Sequence, residues 1–330
     1  MSVLVLATEA DPHARAVADA IAALGGRARI LDLSRFPQRA SLTIRYDCCG
    51  GRAYALGDGD DAVDLSAVEA VWWRRPQQPE VSDEIIDPTR RLFAANEAHE
   101  ALAGLWFSLD ARWINDPAKD HVAHRKVKQL RVAQEAGLRI PDTLITSDPA
   151  AARLFIDRHG YRDVIYKSFS AFETEWRETR LLRPEELQLL DYVRYAPVIF
   201  QEYVDAVHDL RITIVGDEIF PAAIHSQETE YPVDFRMDMH NAAIEEAVLP
   251  AGVADRLRDL MRRLGLVYGA IDMRRRPDGE HVFLEINPAG QWLFVEQATG
   301  QPIAAALARE LLVGGARRGA SEPAVAARIA

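Results

Sequence analysis

Residues 269–290, GAIDMRRRPDGEHVFLEINPAG, decide the fold because they predict a β-hairpin with two opposed carboxylates. Asp278-Gly279 is a strong signal for a two-residue hairpin loop, which would pair the residues on either side of it. Counting outward along both strands from that loop places Asp272 opposite Glu285, with both side chains on one face. The register therefore brings two negative charges together at one place in a sheet.

Asn287 lies two residues further along the same face, whereas Ile271, Leu284 and Ile286 alternate to the opposite, core-facing side. Opposed carboxylates in a sheet repel each other, so a cation is expected between them. Carboxylate and carboxamide oxygens are hard ligands that favour Mg²⁺ or Mn²⁺ over Zn²⁺. The alternative is the solvated face of an edge hairpin, which would explain a lone acidic pair better than it explains three residues in register.

The composition excludes several classes of protein. The chain has 330 residues, 39 Lys plus Arg, 50 Asp plus Glu and a formal net charge of −11, so no general attraction to nucleic acid or anionic membrane is expected. Its only cysteines, Cys48-Cys49, are adjacent and are interpreted as reduced thiols. No signal peptide or long apolar run is present, and we expect a cytoplasmic protein.

The first hundred residues predict a small α/β domain. An apolar run, an Ala-rich amphipathic run that ends at Gly25-Gly26 and a second apolar run indicate a β-α-β unit, which a hairpin and a further strand follow. Because the glycine pair follows a helix instead of opening one, no dinucleotide-binding fingerprint is present. The predicted strands are 3–7, 28–33, 41–46, 52–56 and 70–74.

The remaining chain predicts two further lobes. Residues 89–109 and 117–137 are each expected to form one helix, the second ended by Gly137. A compact α/β unit follows, and two hairpins with a helix at 252–264 between them come after Asp209. The expected domains are 1–115, 116–204 and 205–313, with a loose tail at 314–330.

Between these lobes, several polar residues are candidates for binding a nucleotide. Lys167 ends an apolar strand, where a cation can reach phosphates, although a strand-end lysine pointing to solvent is an equally good interpretation. Lys126 is a weaker candidate, because exposed helical lysines are common and Lys128 competes with it. Arg211 and Arg236 suit phosphate or carboxylate, yet each taken singly is explained better by a surface ion pair.

A strand that ends at Gln201-Glu202-Tyr203-Val204 would expose backbone groups able to contact an adenine edge, with Glu202 accepting a hydrogen bond from the amino group or the ribose. Taken alone, this segment is explained better as an ordinary polar strand end. Asp209 follows in the next strand, on the same face as Arg211.

Taken in chain order, these residues resemble the ATP-grasp superfamily of ligases. The resemblance rests on Lys126, eleven residues before the glycine of GLRIPDT, on Lys167, on QEYV at 201–204 and on DLRITIVGDEIF, DFR at 234–236 and the Asp272, Glu285 and Asn287 set. It implies an α/β fold in which two lobes grip ATP, preceded by an N-terminal pre-ATP-grasp domain. A carboxylate would be activated as an acyl phosphate.

A narrower resemblance is to the microviridin or graspetide type of ATP-grasp maturase, which forms ester or amide links between side chains of a ribosomal precursor peptide. It is carried by VLVLATEAD, VWWRRP at 71–76, WINDP at 113–117 and FLEINPAGQWLFVEQATGQPIA at 283–304. The chain departs from the superfamily after Lys167, where SFSAFETEWRET stands in place of a Gly-rich phosphate loop.

The resemblance implies a role for each candidate residue. ATP phosphates would contact Lys126 and Lys167; adenine and ribose would contact Glu202, Tyr203, Val204 and Asp209; Arg211 and Arg236 would hold the acyl phosphate; Asp272, Glu285 and Asn287 would hold Mg²⁺ or Mn²⁺. The expected partners are a precursor peptide and a second copy of the chain. The alternatives are an ATP-grasp ligase of amino acids or other small carboxylates and a nucleotide-binding regulatory protein without turnover.

Overall fold

The protein was analysed as a computed structural model, which describes residues 1–169, 179–231 and 233–313. The chain divides into two compact units, Met1–Pro117 together with the chain from Ala304 onward, and Ala118–Ile303. The tail expected at 314–330 lies outside the described residues. None of the helices in the described ranges is long and apolar enough to cross a membrane.

The first unit is built on a parallel sheet, as the β-α-β pattern predicts. Strand β1 is buried along almost its whole length, and Asp11 caps helix α1 by accepting hydrogen bonds from the amides of His13 and Ala14. The strand order is β2-β1-β6-β7, beside a three-stranded antiparallel sheet β3-β4-β5. The strands are β1 (Ser2–Leu6), β2 (Arg27–Leu31), β3 (Ser41–Tyr46), β4 (Arg52–Gly57), β5 (Val63–Asp64), β6 (Ala70–Trp73) and β7 (Arg112–Ile114), and the helices are α1 (Pro12–Ala23) and α2 (Pro88–Ser108).

The region expected to form one helix at 117–137 instead forms two, α3 (Pro117–Ala123) and α4 (Lys126–Glu135). Arg125 has an extended backbone, and the Gln129 side chain donates to the Ala123 carbonyl at the end of α3. The break makes Lys126 the first residue of α4. Gln129 also exchanges hydrogen bonds with both backbone groups of Ile286, so α4 is fixed to the predicted metal hairpin.

The second unit contains two antiparallel sheets. The smaller has the order β10-β9-β11-β8, so β8 is an edge strand. Its core is formed by residues such as Ile156, Val164 and Phe200. The elements are β8 (Thr143–Thr146), α5 (Pro149–His159), β9 (Val164–Lys167), β10 (Arg180–Leu181), a 3₁₀ helix (Pro184–Tyr195) and β11 (Val198–Glu202).

The larger sheet of this unit has the order β14-β13-β12-β15-β16. Helices α4 and α6 cover one face of it, with Val132, Leu257 and Leu260 in the same core as Ile212 and Ile271. Helix α4, expected in the central lobe, thus shares the core of the sheet that carries the hairpin. The elements are β12 (His208–Val215), β13 (Glu218–Ile224), β14 (Ile244–Glu246), α6 (Ala251–Leu264), β15 (Tyr268–Arg275), β16 (His281–Asn287) and α7 (Leu293–Thr299). Helix α8 (Ile303–Leu312) begins at the last residue of this unit and otherwise belongs to the first unit.

The hairpin β15–β16 has the predicted pairing at its base but not at its tip. Arg276, and not Pro277, pairs with Glu280, so the loop has one residue more than expected. A β-bulge between Asp272 and Met273 compensates for this shift, because Met273 pairs with Phe283 while Asp272 still pairs with Glu285.

The bulge leaves Leu284 as the extra residue of β16, and Leu284 lines a cavity together with Asp272 and Glu285. The expectation that Leu284 points to the opposite side with Ile271 and Ile286 is therefore wrong. Ile271 and Ile286 do lie in the core, as expected.

Candidate nucleotide and metal site

A cavity of about 70 Å³ lies between the two sheets of the second unit. It collects side chains from β9 and the end of β11, from the start of β12, from the middle of β15 and β16, and from the segment after β13. Of the candidates, it is lined by Lys167, Glu202, Tyr203, Val204, Asp209, Arg236, Asp272 and Glu285; its other lining residues are Pro141, Ile165, Thr179, Gln201, Val233, Asp234, Phe235, Arg274 and Leu284.

The two carboxylates of the hairpin are each held by a cation from another element. Lys126 Nζ lies 2.5 Å from Glu285 Oε2, and Arg211 Nη1 donates to Asp272 Oδ1 at 2.6 Å. Burial would raise the pKa of Glu285, but Lys126, Lys167 and Arg236 outweigh it and hold this pKa well below its usual range. Glu285 is therefore ionised at neutral pH.

Asp272 is in the opposite situation. Burial raises its pKa, and the neighbouring Glu285 carboxylate adds to the rise, although Arg211 opposes it. A cation placed between Asp272 and Glu285 would relieve this repulsion.

Asn287 pairs with Ala270 across the hairpin, and its Oδ1 accepts a hydrogen bond from the Ala289 amide at 2.9 Å. Within the described ranges, no three His, Cys, Asp or Glu side chains cluster in a way that could hold a metal. Two carboxylates and an amide oxygen fit Mg²⁺, which needs few protein ligands because it keeps several waters and binds phosphate oxygens.

Lys126 and Lys167 approach the carboxylates from different elements. Lys126 begins α4, where the break after α3 places it, and Lys167 ends β9. Burial lowers the pKa of Lys167 to about 8, and the positive charges of Lys126 and Arg236 contribute to this shift. Both ammonium groups suit the binding of several negative oxygens at one place, as a polyphosphate has.

The end of β11 supplies groups expected for a nucleotide base. The amide of Asp142 donates to Glu202 Oε2 at 3.2 Å, and Arg276 lies 3.7 Å from Glu202 Oε1. Gln201 is buried, and its Oε1 has no hydrogen-bond partner in the described part of the chain. An orphaned acceptor beside an apolar wall that includes Leu284 fits the amino group of a base such as adenine.

Arg274 holds this segment in place. Its guanidinium donates to Asp209 Oδ1, to the Val204 carbonyl and to the Val233 carbonyl, and it lies 5.1 Å from the Tyr203 ring centroid. Asp209 accepts a second hydrogen bond from the Ser226 hydroxyl. The expected nucleotide residue Asp209 is thus the centre of a buried polar network.

The two candidate arginines have different surroundings. Arg211 is buried between Asp272 and the Gln291 carbonyl, to which its Nη2 donates at 3.0 Å. Arg236 forms a bidentate pair with Asp234 at 2.7 and 2.6 Å, and this pairing raises its pKa despite burial. Arg236 lines the cavity, whereas Arg211 reaches the site through Asp272.

Four features of the site were not predicted from the sequence: Gln129, the pairing of Asp234 with Arg236, Arg274 and Leu284. Arg274 had one available signal, since its alternation along β15 puts it on the face of Asp272. No pattern marks Gln129, because its contact with the site is made to the backbone of Ile286, which is 157 residues away in sequence. Of the segment expected to stand in for a phosphate loop, residues 170–178 lie outside the described residues.

Comparison with protein-family models assigns both parts of the chain. Residues 2–121 match the MvdD pre-ATP-grasp domain, and residues 123–311 match the RimK-like ATP-grasp domain. No protein in the curated set compared matches this chain.

Solved structures give the same assignment over nearly the whole length. Macrocyclase MdnC from Microcystis aeruginosa MRC, crystallised with precursor peptide MdnA, is 32% identical with a TM-score of 0.85, covering 94% of this chain and 99% of MdnC. Macrocyclase MdnB from the same organism is 32% identical with a TM-score of 0.80, covering 95% of this chain and 99% of MdnB.

A RiPP-associated ATP-grasp ligase from Chryseobacterium gregarium, in complex with ADP and a leader and core peptide, is 27% identical with a TM-score of 0.87; the match covers 94% of this chain and 96% of that ligase. These matches confirm the resemblance stated from the sequence. The chain belongs to the RimK-like ATP-grasp ligases that carry an MvdD-type pre-ATP-grasp domain.

Proposed function

We propose that this protein is a peptide macrocyclase that uses ATP to join Asp or Glu side chains of a ribosomal precursor peptide to Thr or Ser hydroxyls or to Lys amines. The observation that carries the proposal is the full-length similarity to MdnC, which was crystallised with its precursor peptide. The cation-rich cavity supports it, because transfer of a phosphoryl group to a carboxylate brings many negative oxygens together.

In the first step, a carboxylate oxygen of the peptide attacks the γ-phosphorus, the bond from that phosphorus to ADP breaks, and an acyl phosphate forms. Lys126 and Lys167 would bind phosphate oxygens, and Arg236 would hold the substrate carboxylate close to them. Mg²⁺ or Mn²⁺, held by Asp272, Glu285 and Asn287, would supply positive charge beside the transferring group.

In the second step, a hydroxyl oxygen or an amine nitrogen of the same peptide attacks the acyl carbon. The bond to phosphate breaks, inorganic phosphate leaves, and the proton of the nucleophile passes to the leaving phosphate or to water. Asp234 accepts hydrogen bonds from Nε and Nη2 of Arg236. We therefore assign Asp234 to positioning Arg236 and not to accepting the proton of the nucleophile. Glu202, Tyr203, Val204 and Asp209 would hold the adenosine, with Arg274 fixing the Val204 carbonyl.

Mass spectrometry tests the proposal directly. The purified protein is incubated with Mg²⁺-ATP and the peptide encoded by a short reading frame beside its gene, and each bond formed should remove one water from the peptide mass. Hydroxide or methanol would then open esters and leave amides intact. Turnover of ATP with free amino acids and none with the peptide would favour the small-carboxylate ligase, and binding of ATP without any ADP release would favour the regulatory protein.

The homodimer and the cytoplasmic location stay predictions. A dimer is supported by helix α2, which exposes 65% of Phe93 and 68% of Phe107 and is thus a candidate contact surface. Sedimentation of the purified protein would test it, and Phe93→Glu should produce monomers if α2 forms the contact.

A further inference from the structure

A groove of about 650 Å³ runs along the outer side of β8, outside the nucleotide cavity. Six of its twelve lining residues are apolar and are called its floor; they come from α4, from the segment leading into β8 and from β8 itself. One of these, Val127, is 59% exposed, and no function described above uses it. The apolar lining consists of Val127, Leu130, Leu138, Ile140, Pro141 and Ile145.

The free edge of β8 presents backbone groups to this groove. The Glu202 amide donates to the Asp142 carbonyl at 2.9 Å, so by alternation along the antiparallel pair the amides and carbonyls of Thr143 and Ile145 point away from β11. Both residues line the groove, and their outward backbone groups have no backbone partner among the described residues. This spacing is the one that an added β-strand requires.

The charge of the groove indicates what kind of strand would bind. Three arginines and one aspartate line it, although the whole chain has a net charge of −11. Arg139 and Arg158 approach Glu280 and Asp142 only at 3.9 and 3.6 Å, and neither guanidinium makes a hydrogen bond within the described part of the chain. Their donors are therefore available to carboxylates from outside.

We propose that this groove binds an extended, acidic segment of the peptide substrate as an additional strand on β8. The inference rests on the proposed function, since that function supplies a peptide partner. The backbone of the segment would pair with Thr143 and Ile145, alternate apolar side chains would cover the floor, and its carboxylates would contact Arg139 and Arg158.

The test measures binding of a short fluorescein-labelled peptide of alternating Val and Glu, with a Val and Lys peptide for comparison, by fluorescence anisotropy. The acidic peptide should bind at least about tenfold more tightly, and Arg158→Glu should weaken it by about five- to tenfold. Arg153→Glu is the matched control, because Arg153 lies on the same helix, is exposed and contacts Asp191, but does not line the groove.

Ile145→Pro removes the outward amide alone and should also weaken binding, while the thermal shift on adding Mg²⁺-ATP stays unchanged in all three variants. Equal binding of the two peptides, or equal loss in the Arg158 and Arg153 variants, would overturn the groove assignment. So would a dimer that Ile145→Pro dissociates, since a second copy would then occupy the edge. Ring formation that persists in Arg158→Glu at normal KM would reject the groove and leave the macrocyclase proposal intact.

Discussion

Two ion pairs that involve the larger sheet differ in how deeply they are buried and in how many further contacts hold them. Asp209 and Arg274 pair across neighbouring strands, with 5% and 4% of their side chains exposed, and both make further hydrogen bonds. Glu285 and Lys126 come from separate elements and are 20% and 23% exposed, and Glu285 lines the cavity. The first pair is locked in the structure by these contacts, whereas we propose that the second is exchangeable, because Glu285 would take a metal ion and Lys126 a phosphate.

The largest expected effect is on the exchangeable pair. Glu285→Gln keeps the shape but removes a proposed metal ligand and an ionised partner of Lys126, so turnover should fall by roughly 10²–10³-fold. ADP release and peptide mass measure this change, and the melting temperature should barely move. Glu280→Gln, at the exposed tip of the same hairpin, is the control; a Glu285 variant with normal turnover would remove the hairpin from the site.

The locked pair should respond in stability. Arg274→Met leaves Asp209 buried without its guanidinium, which is expected to reduce the free energy of unfolding by about 3–5 kcal/mol. Urea titration measures this loss. Arg275→Met is the matched control, since Arg275 is the next residue of β15 and is exposed; equal losses in both variants would contradict the distinction between the pairs.

The smallest expected effect is a pH dependence at Lys167, whose pKa is lowered to about 8. Above this pH the free enzyme loses the charge that attracts phosphates, so KM for ATP should rise by up to about tenfold per pH unit. The contribution of Lys167 to folding stability changes with pH in the opposite direction, because it rises where ATP binding is expected to weaken. Between the folded value of about 8 and the ordinary value of 10.5, the unfolded chain binds more protons, so stability from this group rises with pH.

Initial rates over a series of alkaline buffers test this, with Lys167→Arg as the comparison because arginine stays charged throughout the range. The arginine variant should show a flat KM. A parallel rise of KM in both proteins would assign the pH dependence to another group.

The sequence predicts the fold well where a local pattern defines an element. The β-α-β unit, the hairpin at 41–57 and the strands that carry Lys167 and Glu202 follow from apolar periodicity and turn residues. The break between α3 and α4 was missed because it depends on Gln129, whose partners Ala123 and Ile286 are brought together only by the tertiary fold. A prediction from helical propensity alone therefore continues the helix through a position where tertiary packing ends it.

For the candidate site, the sequence predicts which residues come together better than it predicts which side chains contact each other. The Asp272–Glu285 pairing was predicted from a loop of the wrong length, and it is observed because a bulge offsets the additional loop residue. The partners of Arg211 and Arg236 differ, one binding Asp272 and the other Asp234, and no sequence spacing distinguishes them. Side-chain pairing of this kind depends on the arrangement of several strands at once.

The bulge at Leu284 also means that the tip of the hairpin can be altered separately from its base. Residues beyond it, from Met273 to Phe283, follow one register, and the metal candidates follow another. The loop at Pro277-Asp278-Gly279 is exposed. A reporter group or an inserted sequence in this loop would be separated from Glu285 by the bulge, which already accommodates one additional residue. The hairpin thus provides an attachment point for labels that follow the enzyme during turnover.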